Sequence, residues 1–297
     1  MKGKDKTAEQ RLKMINRYIS KMPSLSTTVT KVMETCNNPA VSPNDLNRVI
    51  SLDPVLTGQV IKLVNSAYYA LVNEVTSLTR AIIMLGINTI KNLALSLSVM
   101  GVIKDRDAFR AFTIDEFWSH SICVGVSAKL IAAATGVPAN ESEEFFVAGL
   151  LHDLGKIPLN SCYPADYQAA VKAVKTENIP LYVAEQNLFG VNHCQVGGII
   201  AEKWTLNLNL ADTLNYHHFP DDPGIENKKF LTIITLADMI AHMLPIADWN
   251  RISFTGSAIE NLAGRIDIDL DTFKELKAPV TAELEKARTF LQVTAQG

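Results

Sequence analysis

Six histidines occur in this chain of 297 residues, and five of them stand beside residues of the kind a metal site uses. His152-Asp153 closes the apolar stretch FFVAGLLHDLGK just before Gly155. His193 opens HCQVGGIIAEKW, and His217-His218 ends the stretch that follows. His120 stands four residues after Glu116, so on a helix the two share a face. Asp238 carries the most weight: it lies inside FLTIITLADMIAHML, where a carboxylate is costly to bury unless it is paired or bound to a cation. His242, one turn further on, reads first as a core or surface residue and second as a ligand.

Mixed imidazole and carboxylate donors suit iron, manganese, zinc, cobalt or nickel, whereas an all-oxygen set would suit calcium or magnesium. Ligands on separate helices can converge on one or two ions inside a bundle. Two ions together can hold a phosphate group and activate a bridging water. Plainer explanations stand beside this one. A histidine at a helix end can be a cap, a His-His pair can be incidental, and Asp238 can salt-bridge to a lysine.

The elements that must position these residues are helical. Residues 8–20 predict a short amphipathic lead-in, and SLSTTVTKVMETCNN predicts a helix closed by Asn37 and Asn38. Ser42-Pro43-Asn44-Asp45 offers an N-cap, a proline at the first helical position and an acidic first turn, and Asp53-Pro54 repeats that grammar. Helices follow over 77–85 and 88–100, then over about 114–134, 142–153, 164–175, 180–188, 193–204, 208–217 and 228–244. There is no alternation of strands and helices, so the expected fold is all-α, a multi-helix bundle. Around Lys104-Asp105-Arg106-Asp107 the chain turns polar. This divides it into an N-terminal helical subdomain (1–105), a second helical subdomain carrying the candidate site (106–245) and a C-terminal helical extension (246–297).

Composition narrows the classes further. With 47% hydrophobic and 20% charged residues the chain can bury a core. A formal net charge of −3 offers no general attraction to a phosphate backbone, so no nucleic-acid partner is expected. Cys36, Cys123, Cys162 and Cys194 are scattered, without a CxxC pair, and read as small core residues in a reducing compartment. The polar start MKGKDKTAEQ and the lack of a long uninterrupted apolar run predict a soluble, cytoplasmic protein without a membrane association. The longest candidate run, Leu231 to Leu244, is interrupted by Asp238 and His242.

At this level of detail the chain resembles the HDOD family. ISLDPVLTGQVIKLVNSAYY and VTSLTRAIIMLGINTIKNLALSLSV resemble the N-terminal half of such domains. FWSHSICVGVSAKLIA, FFVAGLLHDLGKIPL, FGVNHCQVGGIIAEKW and YHHFP resemble the second half, in the same order. The likeness spans roughly residues 20–245. It implies a bacterial signalling output module, similar to HD-superfamily phosphohydrolases such as the HD-GYP cyclic-dinucleotide phosphodiesterases, and an HD-like fold for residues 106–245. The pattern places metal ligands at His120, His152, Asp153, His193 (with Gly197 of its HxxxG element), His217, His218 and Asp238. Glu116 matches an extra carboxylate ligand of some relatives. Lys156, of the HDxGK element, would steady a phosphate oxygen, with Asp153 as its catalytic neighbour.

The implied cofactor is a divalent transition metal, iron or manganese first, with zinc or nickel as alternatives. The implied partner is a signalling protein, and the ligand of an active enzyme would be a nucleotide or phosphodiester. The chain departs from the HD-GYP pattern after its double histidine. HHFPDDPGIENKK lacks the Glu and the DG–GYP loop that shape that substrate site. A regulatory module with a metal site is therefore the leading expectation, and an active metal-dependent phosphohydrolase the alternative.

Overall fold

Local capping sets where the first helices begin. In the computed structural model, which describes residues 7–103, 110–246 and 253–295, Thr7 caps α1 (Ala8–Lys21) through a reciprocal capping box with Gln10. Ser26 caps α2 (Thr27–Cys36). Ser42 and Asp53 cap α3 (Pro43–Ile50) and α4 (Pro54–Val64), each with its proline in the first turn, as their spacing predicts. Then come α5 (Leu78–Leu85) and α6 (Ile87–Val102), joined at Gly86, whose φ of 89° only glycine adopts readily.

The remaining helices are α7 (Ile114–Ala134), α8 (Ala139–Leu151), α9 (Lys156–Cys162), α10 (Pro164–Glu177), α11 (Leu181–Phe189), α12 (His193–Lys203), α13 (Leu208–Tyr216) and α14 (Lys228–Met243). The chain closes with α15 (Gly256–Gly264), α16 (Leu270–Glu275), α17 (Lys277–Ala287) and α18 (Thr289–Ala295). Among the described residues there is no strand, and the expected all-α class holds.

Two local expectations change. The segment 142–153 begins earlier, at Ala139, and its helix stops at Leu151, which leaves His152 at the C-cap and Asp153 beyond it. Gly155 does not end a helix. It is the N-cap of α9, an element the apolar pattern did not separate from its neighbours. The boundary placed at Lys104–Asp107 lies outside the described residues.

The axis of the fold is α7. It packs along α8, α14 and α17, while α6 lies across α8 and α18 rests on α4 and α6. By length and composition α7 could cross a membrane, a property hidden by the scattered polar residues of its sequence; 72% of its apolar window is buried inside the fold. The crossing of α7 and α8 is unusually close at Gly149, where a Cβ would stand 2.6 Å from the Gly125 backbone nitrogen. That approach brings His120 of α7 level with the end of α8, where His152 and Asp153 emerge.

Candidate metal centre

Each candidate ligand is delivered by a helix or a helix end. His120 lies in the second turn of α7 and Asp238 in the body of α14, both facing the interior. His152 and Asp153 sit at the turn after α8. His193 is the first residue of α12, held by an Asn192–Gln195 capping box. His217 caps the end of α13, with His218 next to it. Fixed helix ends place these side chains more tightly than loops would.

The two carboxylates form the middle of the cluster. Asp153 Oδ1 lies 3.5 Å from His193 Nε2 and 3.6 Å from His217 Nε2. Its Oδ2 lies 3.2 Å from His152 Nε2 and 3.5 Å from His120 Nε2, and also pairs with the Lys156 amine. Asp238 Oδ1 lies 3.2 Å from His120 Nε2, 3.4 Å from His242 Nε2 and 3.7 Å from His152 Nε2. His218 Nδ1 approaches Asp238 Oδ2 at 3.9 Å, its ring stacked 4.8 Å from that of Tyr182. All of these residues except His218 are buried.

Backbone and carboxylate partners fix the imidazole protons. His152 Nδ1 donates to the Gly149 carbonyl at 2.7 Å, and His217 Nδ1 to the Thr213 carbonyl at 2.9 Å. His193 Nδ1 meets Glu185 Oε2 at 2.6 Å. A carbonyl can only accept, so a neutral His152 or His217 ring turns a bare Nε2 lone pair toward the carboxylates, and His193 does the same with its Nδ1–H on Glu185, the arrangement that outer partners impose on metal-ligating histidines. His193 Nε2 and His217 Nε2 then face each other at 3.3 Å. Two lone pairs at that distance repel, and a cation between them would turn the contact attractive. The same want shows elsewhere: His152 Nε2, Asp153 Oδ1 and Asp238 Oδ1 are buried without a hydrogen bond. The donor set therefore fits a divalent transition ion.

The electrostatics agree with that fit. Burial opposes ionisation of Asp153, but the His152 and Lys156 charges hold its carboxyl well below the usual range. Burial likewise opposes charge on Asp238, and His242, His120 and His152 overcome it. Burial disfavours a charged His152, yet Asp153 and Asp238 raise it to about 9, whereas burial dominates at His120 and lowers it to about 4. Two anions are thus balanced in the metal-free cluster by Lys156 and a protonated His152.

The structure gathers His120, His152, Asp153, Lys156, His193, His217, His218 and Asp238 into one interior group. It leaves Glu116 outside: that exposed side chain accepts from the Thr113 backbone N–H at 2.7 Å and hydroxyl at 2.9 Å as part of the α7 capping box. An N-terminal carboxylate that caps its own helix cannot also reach inward. Three residues outside the expected ligand set join the group. His242 reaches Asp238, and Cys194 Sγ lies 3.8 Å from His217 Nδ1. Glu185 is fully buried, takes the Tyr167 hydroxyl at 2.7 Å and holds both the backbone N–H and the ring of His193. The argument that singled out Asp238 applies to Glu185 too, but its neighbours Gln186 and Asn187 make LYVAEQNLF less uniformly apolar than FLTIITLADMIAHML and mute the signal.

Comparison with known proteins places these observations. The HDOD domain model matches residues 22–220. A Treponema pallidum protein of uncharacterized function is 26% identical over 226 residues, 76% of this chain, and the chain spans 43% of that relative's length. The structure of an HDOD domain protein of unknown function from Geobacter sulfurreducens has 25% identity and a TM-score of 0.79, covering 96% of this chain and 99% of its own. A candidate phosphohydrolase from Shewanella amazonensis has 21% identity and a TM-score of 0.70, covering 94% and 98%, a similarity of fold.

Proposed function

The chain belongs to the HDOD family, and from that premise we propose that it is a cytoplasmic regulatory module whose helical body engages a signalling protein and is stabilised by a divalent transition metal, iron or manganese first. One observation carries the metal reading: the Nε2 atoms of His193 and His217 face each other at 3.3 Å while both Nδ1 atoms are committed to acceptors. The ligands are His120, His152, Asp153, His193, His217, His218 and Asp238. The missing Glu and DG–GYP loop after His218 rank regulation above hydrolysis.

The test is elemental analysis of protein purified without chelator, followed by melting before and after metal removal. We expect bound iron or manganese and a lower Tm after its removal. An ion at a thousand times its Kd stabilises a fold by about 4 kcal/mol. A metal-free preparation that also takes up no added iron, manganese, zinc or nickel would overturn the reading.

A second reading is favoured by Lys156, which is buried and pairs with Asp153 inside the cluster. In a phosphohydrolase acting on a nucleotide or phosphodiester, Lys156 would steady a phosphate oxygen and Asp153 would orient the group. A divalent ion there would supply Lewis-acid polarisation of the phosphate and of the attacking water. This reading requires turnover in a panel of nucleotides and cyclic dinucleotides that Asp153→Ala abolishes. Silence of the metal-loaded protein across the panel would reject it.

A further inference from the structure

We infer that His242 is an additional metal ligand of this chain, completing with His120 and Asp238 a second cation position on the α14 side of the centre. The inference rests on the metal-binding reading above and deepens it, because it assigns two ions and a ligand outside the expected set.

The first support is the division of labour within both carboxylates. Asp153 turns Oδ1 to His193 and His217 and Oδ2 to His152 and His120. Asp238 turns Oδ2 to His218 and Oδ1 to His120 and His242. Each acid thus offers one oxygen to a side lined by His193, His217 and His218 and the other to a side lined by His120, His152 and His242. Two carboxylates split in the same sense are the arrangement that bridges a pair of ions.

The second support is the state of His242 itself. It lies one turn after Asp238 on the same face of α14, is 6% exposed and stands with its ring 5.3 Å from that of His120. The ring of Phe254 lies 5.8 Å away. Its Nε2 has Asp238 at 3.4 Å, but its Nδ1 is buried without a hydrogen bond. Were His242 only a partner of Asp238 through Nε2, its Nδ1 would stay buried with no partner, which costs about 1–3 kcal/mol. Donor atoms of His120, Asp238 and His242 all lie within 4.8 Å of one another, close enough to share an ion.

The third support is the vacated role of Glu116. The extra carboxylate expected on α7 is spent on the capping box, and α14 presents His242 to His120 instead. Exchanging a carboxylate for an imidazole makes this position less anionic and richer in nitrogen, so it favours iron, cobalt, nickel or zinc over manganese.

The experiment is titration of the full metal-free chain with Co(II), read by visible absorption and by cobalt content after desalting. Wild type is expected to bind two ions per chain, and His242→Ala one, with unchanged helical circular dichroism. His242→Gln, which retains bulk and polarity, is expected to lose the same ion and serves if the alanine variant unfolds. Two ions retained in the folded variant, or one ion in both proteins, overturns the inference while leaving the metal reading intact. No ion in wild type overturns both.

Discussion

All six histidines of the chain gather around Asp153 and Asp238, and the protonation of His120 and His152 with these two acids sets how the metal-free protein responds to pH. His120 is lowered to about 4 by burial, below its ordinary value of about 6.5. As pH falls from 6.5 to 4 the unfolded chain therefore takes a proton the folded one refuses, and stability drops. The lowered Asp153 and Asp238 act in the same direction: their contribution is present above the ordinary carboxylate range and is lost as pH falls through it. His152 works oppositely. Raised to about 9, it contributes fully below about 6.5, and that contribution is lost as pH rises through 9. The Tm of the metal-free chain is expected to peak near pH 6.5 and to fall on both sides, with His152→Asn flattening the alkaline limb. An alkaline limb unchanged in that variant would refute the assignment. Asp238 was legible in the sequence because an acid amid apolar neighbours demands a partner, and the family resemblance supplied the other residues as its partners. Their proton positions were not, because those depend on carbonyls at Gly149 and Thr213 and a carboxylate at Glu185 that only the folded backbone presents.

The turn between α8 and α9 is the element on which the centre depends. Gly155 has an ordinary helical conformation, so its role is spatial: a Cβ there would stand 1.9 Å from the His193 carbonyl oxygen and 2.7 Å from the Gly197 nitrogen. Both obstacles are backbone and cannot rotate away. Gly155→Ala is therefore expected to cost about 1–3 kcal/mol by overpacking and to weaken metal binding, since it separates Asp153 from His193. Gly58→Ala is the control, with an exposed site mid-way along α4 and nothing within 4 Å, and it should be neutral or stabilising. Urea melts of the two variants decide the matter, and equal stabilities would refute the close contact. Helix starts such as Ser42-Pro43 and Asp53-Pro54 were readable because capping is a local affair of four residues. The α9 start was not, because Gly155 reads as a stop signal until α12 lies against it.

At the scale of the molecule, residues from the N-terminal, central and C-terminal segments contribute to one continuous apolar cluster. Phe290 of α18 is fully buried, its ring 5.4 Å from Tyr68 and 4.8 Å from Phe146. It joins the region after α4 to α8, beyond the span matched by the family. Phe290→Ala is expected to lower unfolding free energy by about 3–5 kcal/mol and to shift a single urea transition. A variant as stable as wild type would show the last helix to be dispensable. By itself the sequence determined the helical class and most helix starts, because periodicity and capping act over a few residues, and the cost of an isolated buried charge marked Asp238; the full set of eight residues expected at the site came from the family resemblance. Glu116 stays outside through a local capping box with Thr113, but only the tertiary structure decided that His242 and Glu185 enter and that the lone pairs of His193 and His217 face each other. Those outcomes depend on how closely α7, α12, α13 and α14 approach, and contacts between separate helices, from His193–His217 to His120–Asp238, leave no local trace in the chain.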